Sequence, residues 1–442
     1  MIGLVSSYGH EAVPTTAVST SSGGTAVLGR SLYLVFVASW FLHLAQRIPA
    51  LGIIRFDLLL CIVLAGLAVA SRSHDRAPAT ETDKLLRTLI LYVLVTLPFV
   101  EWPGSVIRSG IPEFVKAVVF YYFTVLFVRS EKDLKQLLLV FLACQTFRVL
   151  EPLYLHLTQG YWGSAASMSN WEFMNRLSGS PDDVINPNGL AAVVCTVVLF
   201  LYFLARTSRL ATFAFWCLAP ACLYALALTG SRSGFLTMAM IFVGILVKSD
   251  KRVLVGTAGV LIAIVGFRFL SADQQDRYLS TFGLGERNRA TAEQRVDSIE
   301  ADFEVALRKP IVGHGLGTSK EANANYGTSY ALSHNLYVEV LQELGFVGLA
   351  IFLLFLKSIF AASLEVKRAY AGAASGRFLP CLIDALQVWL WANLIFSFAS
   401  YGLTMYDWYL QGGLLVVVRR LAAAPAASPA LSSHPGAARQ TP

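Results

Sequence analysis

His334 is the residue best suited to proton transfer in this 442-residue chain. It stands in the run Ser333-His334-Asn335, directly before the apolar stretch 336–356. Ser333 is predicted to cap the helix that begins there, which would place His334 at a helix N-terminus. The positive end of a helix disfavours a charged imidazole, so a neutral ring able to accept a proton is expected. The alternative is an interfacial histidine held only by a hydrogen bond. Asn335 is a secondary candidate beside it.

Arg232 has the chemistry to bind a phosphate group. It lies in a tight turn between two apolar runs, residues 229–234 (TGSRSG), where small side chains let other groups approach closely. A guanidinium group offers paired donors that suit phosphate oxygens, and an arginine at membrane depth is usually paired or functional. The alternative is an arginine that only extends its charge to the lipid headgroups.

A polar island at 271–333 carries three further candidates for phosphate binding: Arg287, Arg289 and Arg295. Apolar residues at helical spacing predict an amphipathic helix over 291–308, with Arg295 in its first turn behind a capping box of Thr291 and Gln294. The alternative for each arginine is a solvated charge.

Two more positions are secondary candidates. His314 lies in GHGLG at 313–317, whose glycines predict a flexible strap with His314 at its hinge. Arg148 and Glu151 are three residues apart, so they are predicted to pair on one helix face. A structural role is the favoured interpretation of Arg148.

The elements that must position these residues are predicted to lie in a membrane. The chain is 55% hydrophobic and 14% charged, with mean hydropathy +0.58, whereas soluble domains carry about 25% charged residues. The net charge of +7 forms no basic stripe, which argues against nucleic acid as a partner. None of the six cysteines has CxxC spacing, so neither a disulfide framework nor a metal site is indicated.

The hydropathy pattern predicts an all-α integral membrane protein with about twelve transmembrane helices and a long, partly helical extracytoplasmic loop. The apolar runs lie at 31–45, 53–70, 85–100, 114–128, 134–155, 188–205, 211–229, 234–248, 253–270, 335–357, 380–400 and 403–418. Basic residues concentrate in alternate short loops, which predicts that those loops and both termini are cytoplasmic. The loops at 46–52, 101–113, 156–187, 230–233 and 271–334 are then extracytoplasmic.

The predicted organisation has five parts. Residues 1–30 form a disordered cytoplasmic N-terminus, and 31–270 form a membrane domain with spans 1–9. Residues 271–334 form an extracytoplasmic active-site loop, 335–421 form spans 10–12, and 422–442 form a disordered cytoplasmic tail. No signal peptide is recognised at the N-terminus.

Several features that would indicate other chemistries are missing from the sequence. It contains no GxxxxGK[ST] loop, so ATP hydrolysis is not indicated. The first outer loop, 46–52, has no acidic residue, so a metal-dependent lipid-linked glycosyltransferase is not indicated and no metal or cofactor is expected. The alternative to an enzyme is a transporter, such as a flippase for lipid-linked oligosaccharides. A transporter of this kind is expected to show repeat symmetry and charged residues deep in several spans.

Taken together, three motifs resemble the O-antigen ligase and Wzy-type polymerase superfamily of bacterial membrane glycosyltransferases. They are the turn at 229–234, the stretch from Arg295 through PIVGHGLG at 310–317, and SHNLY at 333–337 continuing to ELGFVGL at 343–349. The resemblance covers roughly residues 185–360.

The resemblance implies a GT-C-like fold and a donor glycan linked to undecaprenyl pyrophosphate, used at the outer face of the bacterial cytoplasmic (inner) membrane. It implies His334 as the catalytic residue and Arg232 and Arg295 as phosphate ligands. The acceptor would be another lipid-linked repeat in a polymerase of O-antigen or exopolysaccharide. In a ligase it would be lipid A-core or a protein. Polymerase is slightly favoured, because such chains are common in surface polysaccharide synthesis, and a chain-length regulator is a further candidate partner.

Overall fold

The protein is all-helical in the parts of the chain that its computed structural model describes. These are residues 21–70, 79–163, 175–268, 270–279, 290–327, 332–370, 376–400 and 402–423. The helices are α1 (Ser21–Leu42), α2 (Leu44–Arg47), α3 (Pro49–Ile53), α4 (Phe56–Ala70), α5 (Glu81–Thr96), α6 (Pro103–Ser105), α7 (Ile111–Phe127), α8 (Glu131–Gln159), α9 (Pro187–Ala205), α10 (Arg209–Thr229), α11 (Arg232–Lys248), α12 (Arg252–Arg268), α13 (Ala272–Leu279), α14 (Ala290–Ala306), α15 (Ser319–Tyr326), α16 (Leu336–Tyr370), α17 (Phe378–Phe396) and α18 (Tyr406–Ala423). A 3₁₀ turn (Leu97–Phe99) and a π-helical turn (Val106–Gly110) lie between α5 and α7.

Each of the twelve predicted apolar runs overlaps a helix over most of its described length, and the all-α prediction is confirmed over the described residues. Six helical stretches there are long and apolar enough to cross a membrane: Pro103–Phe127, Glu131–Gln159, Pro187–Ala205, Arg209–Thr229, Leu336–Tyr370 and Phe378–Phe396. Two shorter apolar stretches, Ala26–Leu42 and Phe56–Ala70, accompany them. Twelve crossings, and the domain boundaries drawn from them, stay predictions. Helix α1 begins at Ser21, before the expected end of the N-terminal tail.

Short polar residues start the helices that frame the site. Ser130 accepts a hydrogen bond from the Asp133 backbone at the start of α8, and Asn186 accepts one from Gly189 at the start of α9. Ser208 and Ser231 cap α10 and α11 in the same way. A side-chain oxygen at this position satisfies a backbone N–H that has no partner inside the helix. The sequence therefore sets where these helices begin.

Helix α16 bends at Gly345, and the glycine-rich strap at 310–317 fills the bend. Gly345 has φ of 66°, a left-handed conformation that interrupts the helical hydrogen bonds. The strap supplies replacements: His314 N donates to Gln342 O (2.7 Å), Gly315 N donates to Glu343 O (3.0 Å), and Phe346 N donates to Pro310 O (2.7 Å). The strap is therefore a packed part of the fold, and the expectation of a flexible hinge is wrong.

The strap also has no room for larger side chains. A Cβ atom at Gly313 would stand 2.4 Å from the Glu343 backbone, and one at Gly317 would stand 2.7 Å from the backbone of Gly110. The Glu343 carboxylate accepts a hydrogen bond from Gly317 N at 2.8 Å. Backbone and carboxylate contacts thus lock the end of the polar island onto α16.

Residues from loops predicted to share one face of the membrane come together in space. Lys248 and Lys367, both in loops predicted to be cytoplasmic, bind the same Asp384 carboxylate oxygen at 2.9 and 3.1 Å. At the N-terminal end of α11, the non-helical segment 175–186 and the segment 270–279, which contains α13, pack on the C-terminal end of α10. Which end faces the cytoplasm stays a prediction.

Candidate functional site

The turn between α10 and α11 has the tight geometry that its small residues predict. Gly230 ends α10 with φ of 55°, and the Ser231 hydroxyl caps α11 by accepting from Gly234 N at 3.1 Å. A Cβ on Gly234 would lie 2.5 Å from Ala191 Cβ, so α11 begins close against α9. Arg232 is the first residue of α11, and it is only 8% exposed. The turn thus buries an arginine at a helix N-terminus, where the backbone N–H groups also favour anions.

Two further arginines from distant segments converge on this turn. Arg176 Nε donates to Thr229 O at 2.8 Å, and Arg277 Nε donates to Gly230 O at 2.7 Å. Both side chains are buried, with exposures of 4% and 3%. The last carbonyls of a helix carry partial negative charge and attract cations. Arg176, Arg232 and Arg277 are called the arginine cluster below.

A polar side chain of α9 ties part of this cluster together. Asn188 Oδ1 accepts from Arg176 Nη2 at 2.8 Å and from the Ser231 hydroxyl at 2.8 Å. The amide therefore fixes Arg176 relative to the residue that precedes Arg232. Three arginines thus gather at the junction of α10 and α11, with Arg176 and Arg277 held by buried partners, and such a grouping suits an anion with several oxygens, for example a pyrophosphate.

Sequence reasoning missed two members of the arginine cluster. Arg277 is visible in the polar island but has no motif around it, and Arg176 lies in the 156–187 loop, which has no other sign of a site. The only sequence signal is that both loops are predicted to lie on the same face as the Arg232 turn. Their convergence depends on contacts across about fifty residues of chain, such as the 53-residue separation between Arg176 and Thr229.

His334 is exposed, although both of its neighbours are buried. The expectation that Ser333 caps α16 is wrong, because Asn335 does so. Asn335 Oδ1 accepts from Tyr337 N at 3.0 Å and from Val338 N at 3.2 Å, and the Ser333 hydroxyl donates to Asn335 O at 3.3 Å. An asparagine amide reaches the second and third residues of the helix from the position directly before it. His334 therefore stands one residue outside the cap.

His334 and Arg232 lie at the same end of α17. Leu336 N donates to Ser397 O at 3.0 Å, and Asn335 Nδ2 donates to Phe398 O at 3.2 Å, so α16 begins against the C-terminal end of α17. The first half of α11 lies there too, because Thr237 lines a small cavity together with Phe396. The tertiary structure thus places two residues that are about a hundred positions apart at the same end of the helix bundle.

The polar island covers the start of α16 through a buried network. Gln342 Nε2 donates to Asp302 O of α14 at 2.9 Å and to Asn323 Oδ1 of α15 at 2.7 Å. Burial raises the pKa of the Asp302 carboxyl above its usual range. One amide thus joins α14 and α15 to α16, directly after the segment that carries His334.

His314 occupies a different place, fully buried beneath the island. Its Nδ1 lies 2.9 Å from Glu101 Oε2 and its Nε2 lies 3.0 Å from Val305 O, and the ring stacks on Trp102. Burial raises the pKa of Glu101, but hydrogen bonds from Tyr326 and His314 outweigh it, so the net pKa lies below the usual range. Because both partners of the ring accept hydrogen bonds, neither nitrogen is left to take a proton from a substrate.

The three island arginines lie partly or wholly outside the described residues. The predicted amphipathic helix is present as α14 (Ala290–Ala306), which includes Arg295. The side chain of Arg295 and the predicted capping box lie outside the description, as do Arg287 and Arg289. Phosphate binding by any of the three stays a prediction.

Arg148 does not pair with Glu151, so that expectation is wrong. Its Nε and Nη2 atoms donate to the two Asp183 oxygens at 2.6 and 3.0 Å, and Glu151 pairs with Arg47. Asp183 lies in the loop before α9, and its carboxylate meets the edge of the guanidinium that carries Nε and Nη2, which allows two parallel bonds. Arg148 is buried in this pair and not within the arginine cluster.

No three His, Cys, Asp or Glu side chains in the described ranges are grouped so that they could hold a metal ion.

Among known protein families, the one described as O-antigen ligase matches residues 213–353. The matched range contains Arg232, Arg277, Arg295 and His334. It begins after Arg148 and Arg176, so these two arginines lie outside the match. No curated protein matches the chain significantly.

Proposed function

This multi-pass membrane protein contains an O-antigen ligase domain and belongs with the O-antigen ligase and Wzy-type superfamily, and from this premise we propose its reaction. We propose that the protein transfers an oligosaccharide from undecaprenyl pyrophosphate to a sugar hydroxyl, at the outer face of the bacterial cytoplasmic membrane. The product is a longer surface glycan or a glycan joined to a new carrier.

One observation carries this proposal: a buried cluster of three arginines lies at the same end of α17 as an exposed histidine. Buried arginines that converge from three segments suit a ligand with several charged oxygens, and a pyrophosphate has that character. An exposed histidine nearby suits a hydroxyl that must lose its proton. A lipid pyrophosphate donor and a hydroxyl acceptor need both kinds of group.

In the proposed mechanism, an acceptor hydroxyl attacks the anomeric carbon on the face opposite the pyrophosphate. His334 takes the hydroxyl proton as the new carbon–oxygen bond forms. The bond from the anomeric carbon to the pyrophosphate breaks, and its electron pair leaves with undecaprenyl pyrophosphate. Arg232, with Arg295 as the predicted partner from the island, stabilises the departing charge in place of a metal. The anomeric configuration is inverted.

The acceptor separates two versions of this function. A polymerase would use another lipid-linked repeat, and a ligase would use lipid A-core or a protein. The matching family is described as O-antigen ligase, which supports transfer of O-antigen in general. Both versions share the donor site, so the residues named above serve either one.

The decisive experiment incubates purified protein in detergent with lipid-linked oligosaccharide repeats, alone, with lipid A-core, or with acceptor proteins of the same cell envelope. A polymerase lengthens the glycan when repeats are the only substrate, and a ligase forms product only when the core or a protein acceptor is added. Recovery of chemically unchanged repeats in all three reactions would contradict the proposal and support the transporter class. Chelation of divalent metals should leave the rate unchanged.

A further inference from the structure

Residues 176–180 and Asp183 are buried although this stretch forms no helix, while Pro181 is exposed and Asp182 is half-buried. Residues 176–183, called the 176–183 segment, run between α8, α9 and α10. Leu177 N donates to Leu228 O at 3.0 Å, and Ser178 N donates to Trp162 O at 2.8 Å. A Cβ at Gly179 would stand 1.9 Å from Asp183 O. Buried irregular backbone is stable only where every polar group has a partner, so this path depends on its anchors.

The strongest anchor at the far end of the segment is Asp183. Its two carboxylate oxygens receive Nε and Nη2 of Arg148 at 2.6 and 3.0 Å, and both side chains are buried. The remaining Arg148 nitrogen, Nη1, donates to Gln145 Oε1 at 2.9 Å. Each nitrogen of this guanidinium is therefore bonded within the protein, which leaves Arg148 poorly placed to bind a substrate itself.

A second anchor comes from the same face of α8. Glu151, one turn after Arg148, holds Arg47 through two bonds of 2.6 and 2.5 Å, and Arg47 Nη2 donates to the Ser180 hydroxyl at 3.2 Å. The two positions that the sequence places three residues apart thus do not bind each other. Each holds a different point of the 176–183 segment.

We propose that the Arg148–Asp183 pair is a positioning device for donor binding. It holds the 176–183 segment against α8 so that Arg176, at the other end, reaches Thr229 and completes the arginine cluster. Neither Arg148 nor Asp183 touches the donor. Their effect passes through Arg176, whose guanidinium stands 2.8 Å from the Thr229 carbonyl. This inference rests on the proposed function, because it takes the arginine cluster to be the pyrophosphate site.

The test is a double-mutant cycle on purified protein with lipid-linked repeats as donor. Asp183→Asn and Arg176→Ala should each raise the KM for the donor at least about tenfold, with kcat changed by less than about threefold. The double variant should be no worse than Arg176→Ala alone, because Asp183 acts only through Arg176. The proposal would be overturned if the KM increases of the two single variants multiply in the double variant. It would also be overturned if Asp183→Asn keeps the wild-type KM.

Two further sets of variants separate positioning from general damage. Asp384→Asn removes the partner of Lys248 at the opposite end of α11, so it controls for loss of an interhelical ion pair and should leave the KM unchanged. Asp183→Glu and Arg148→Lys keep the charges and should recover part of the donor affinity. If none of the Asp183 and Arg148 variants yields a monodisperse protein, the pair serves folding as a whole and the positioning role is wrong.

Failure of this inference is distinguishable from failure of the proposed function. If Arg232→Ala and His334→Ala both keep normal transfer, the proposed site itself is wrong. If those variants lose transfer while Asp183→Asn keeps the wild-type KM, only the positioning role is wrong.

Discussion

At the scale of single residues, the partners of a side chain decide its role more than its type does. His314 lies in the polar island and His334 directly after it, yet His314 is buried between two acceptors and His334 is exposed. Arg148 is fully paired with Asp183 and Gln145, whereas Arg232 stands at the start of α11 within the arginine cluster. Their contacts account for His314 and Arg148 as structural residues, and Arg232 and His334 stay the proposed catalytic candidates.

The proposed division of labour predicts different kinetic effects for the two central residues. His334→Ala should lower kcat by about 100-fold or more and leave the donor KM nearly unchanged, because a base acts on the acceptor proton. Arg232→Ala should raise the donor KM and also lower kcat, because the pyrophosphate gains charge as it leaves. Initial rates at several donor concentrations separate the two patterns.

Arg308→Ala is the matched control for these variants. Arg308 lies in the polar island and is exposed, and its Cζ stands 5.0 Å from the centroid of the Tyr326 ring. Its removal should leave both kinetic constants close to wild type. Near-normal kcat in a well-folded His334→Ala protein would show that His334 is not the base.

At the scale of elements, the bend in α16 is the feature that sets the geometry of the polar island. The strap at 310–317 replaces the helical hydrogen bonds that Gly345 interrupts, and Gln342 joins α14 and α15 to the same stretch of helix. The bend thus fixes the island over the part of α16 that follows His334. A straight α16 would leave the strap without backbone partners.

Gly345→Ala should therefore destabilise the protein strongly. Its Cβ would stand 2.3 Å from Ile311 O, and the residue would keep a positive φ that alanine disfavours. The cost should exceed about 2 kcal/mol and appear as a lower melting temperature of the purified protein.

Gly266→Ala in α12 is the control for this change. It has no atom within 4 Å of the added Cβ, so it should be neutral or slightly stabilising, as expected for a glycine inside a helix. Equal melting temperatures for the two variants would show that the bend does not depend on glycine.

At the scale of the whole molecule, the charge pattern predicts which end of the helix bundle faces outward. The arginine cluster, His334 and the polar island all come from loops predicted to be extracytoplasmic. Lys248, Lys367 and Asp384 meet at an end predicted to be cytoplasmic. A lipid-linked donor presented at the outer surface requires this orientation.

Cysteine labelling in intact spheroplasts tests the orientation. Ala324→Cys, at an exposed position of α15, should react with a membrane-impermeant maleimide, and Lys251→Cys, exposed at the start of α12, should react only after the membrane is permeabilised. Both are made with Cys217→Ala, because Cys217 is the exposed cysteine among the six. The reverse labelling pattern would place the polar island in the cytoplasm and contradict the proposed site of action.

Much of the fold follows from local sequence, because helices and their starts depend on neighbours within a few residues. Hydrophobic runs gave helices close to their observed bounds, as with the run 234–248 and α11 (Arg232–Lys248). Capping was harder to predict at Ser333, since two polar residues two positions apart compete for one cap and Asn335 makes the contact. Local sequence also failed for the glycine strap, because glycine permits both a flexible loop and a tightly packed one.

The sequence by itself determined an all-helical bundle with a polar island, and it singled out Arg232 and His334 as the leading candidates for phosphate binding and proton transfer. Only the tertiary structure decided that Arg176 and Arg277 join Arg232, that His314 is buried, and that Arg148 pairs with Asp183. The physical reason is the range of the interactions. Helical periodicity acts over three or four residues, whereas the arginine cluster depends on contacts between segments that are far apart in the chain and meet only when the helices pack.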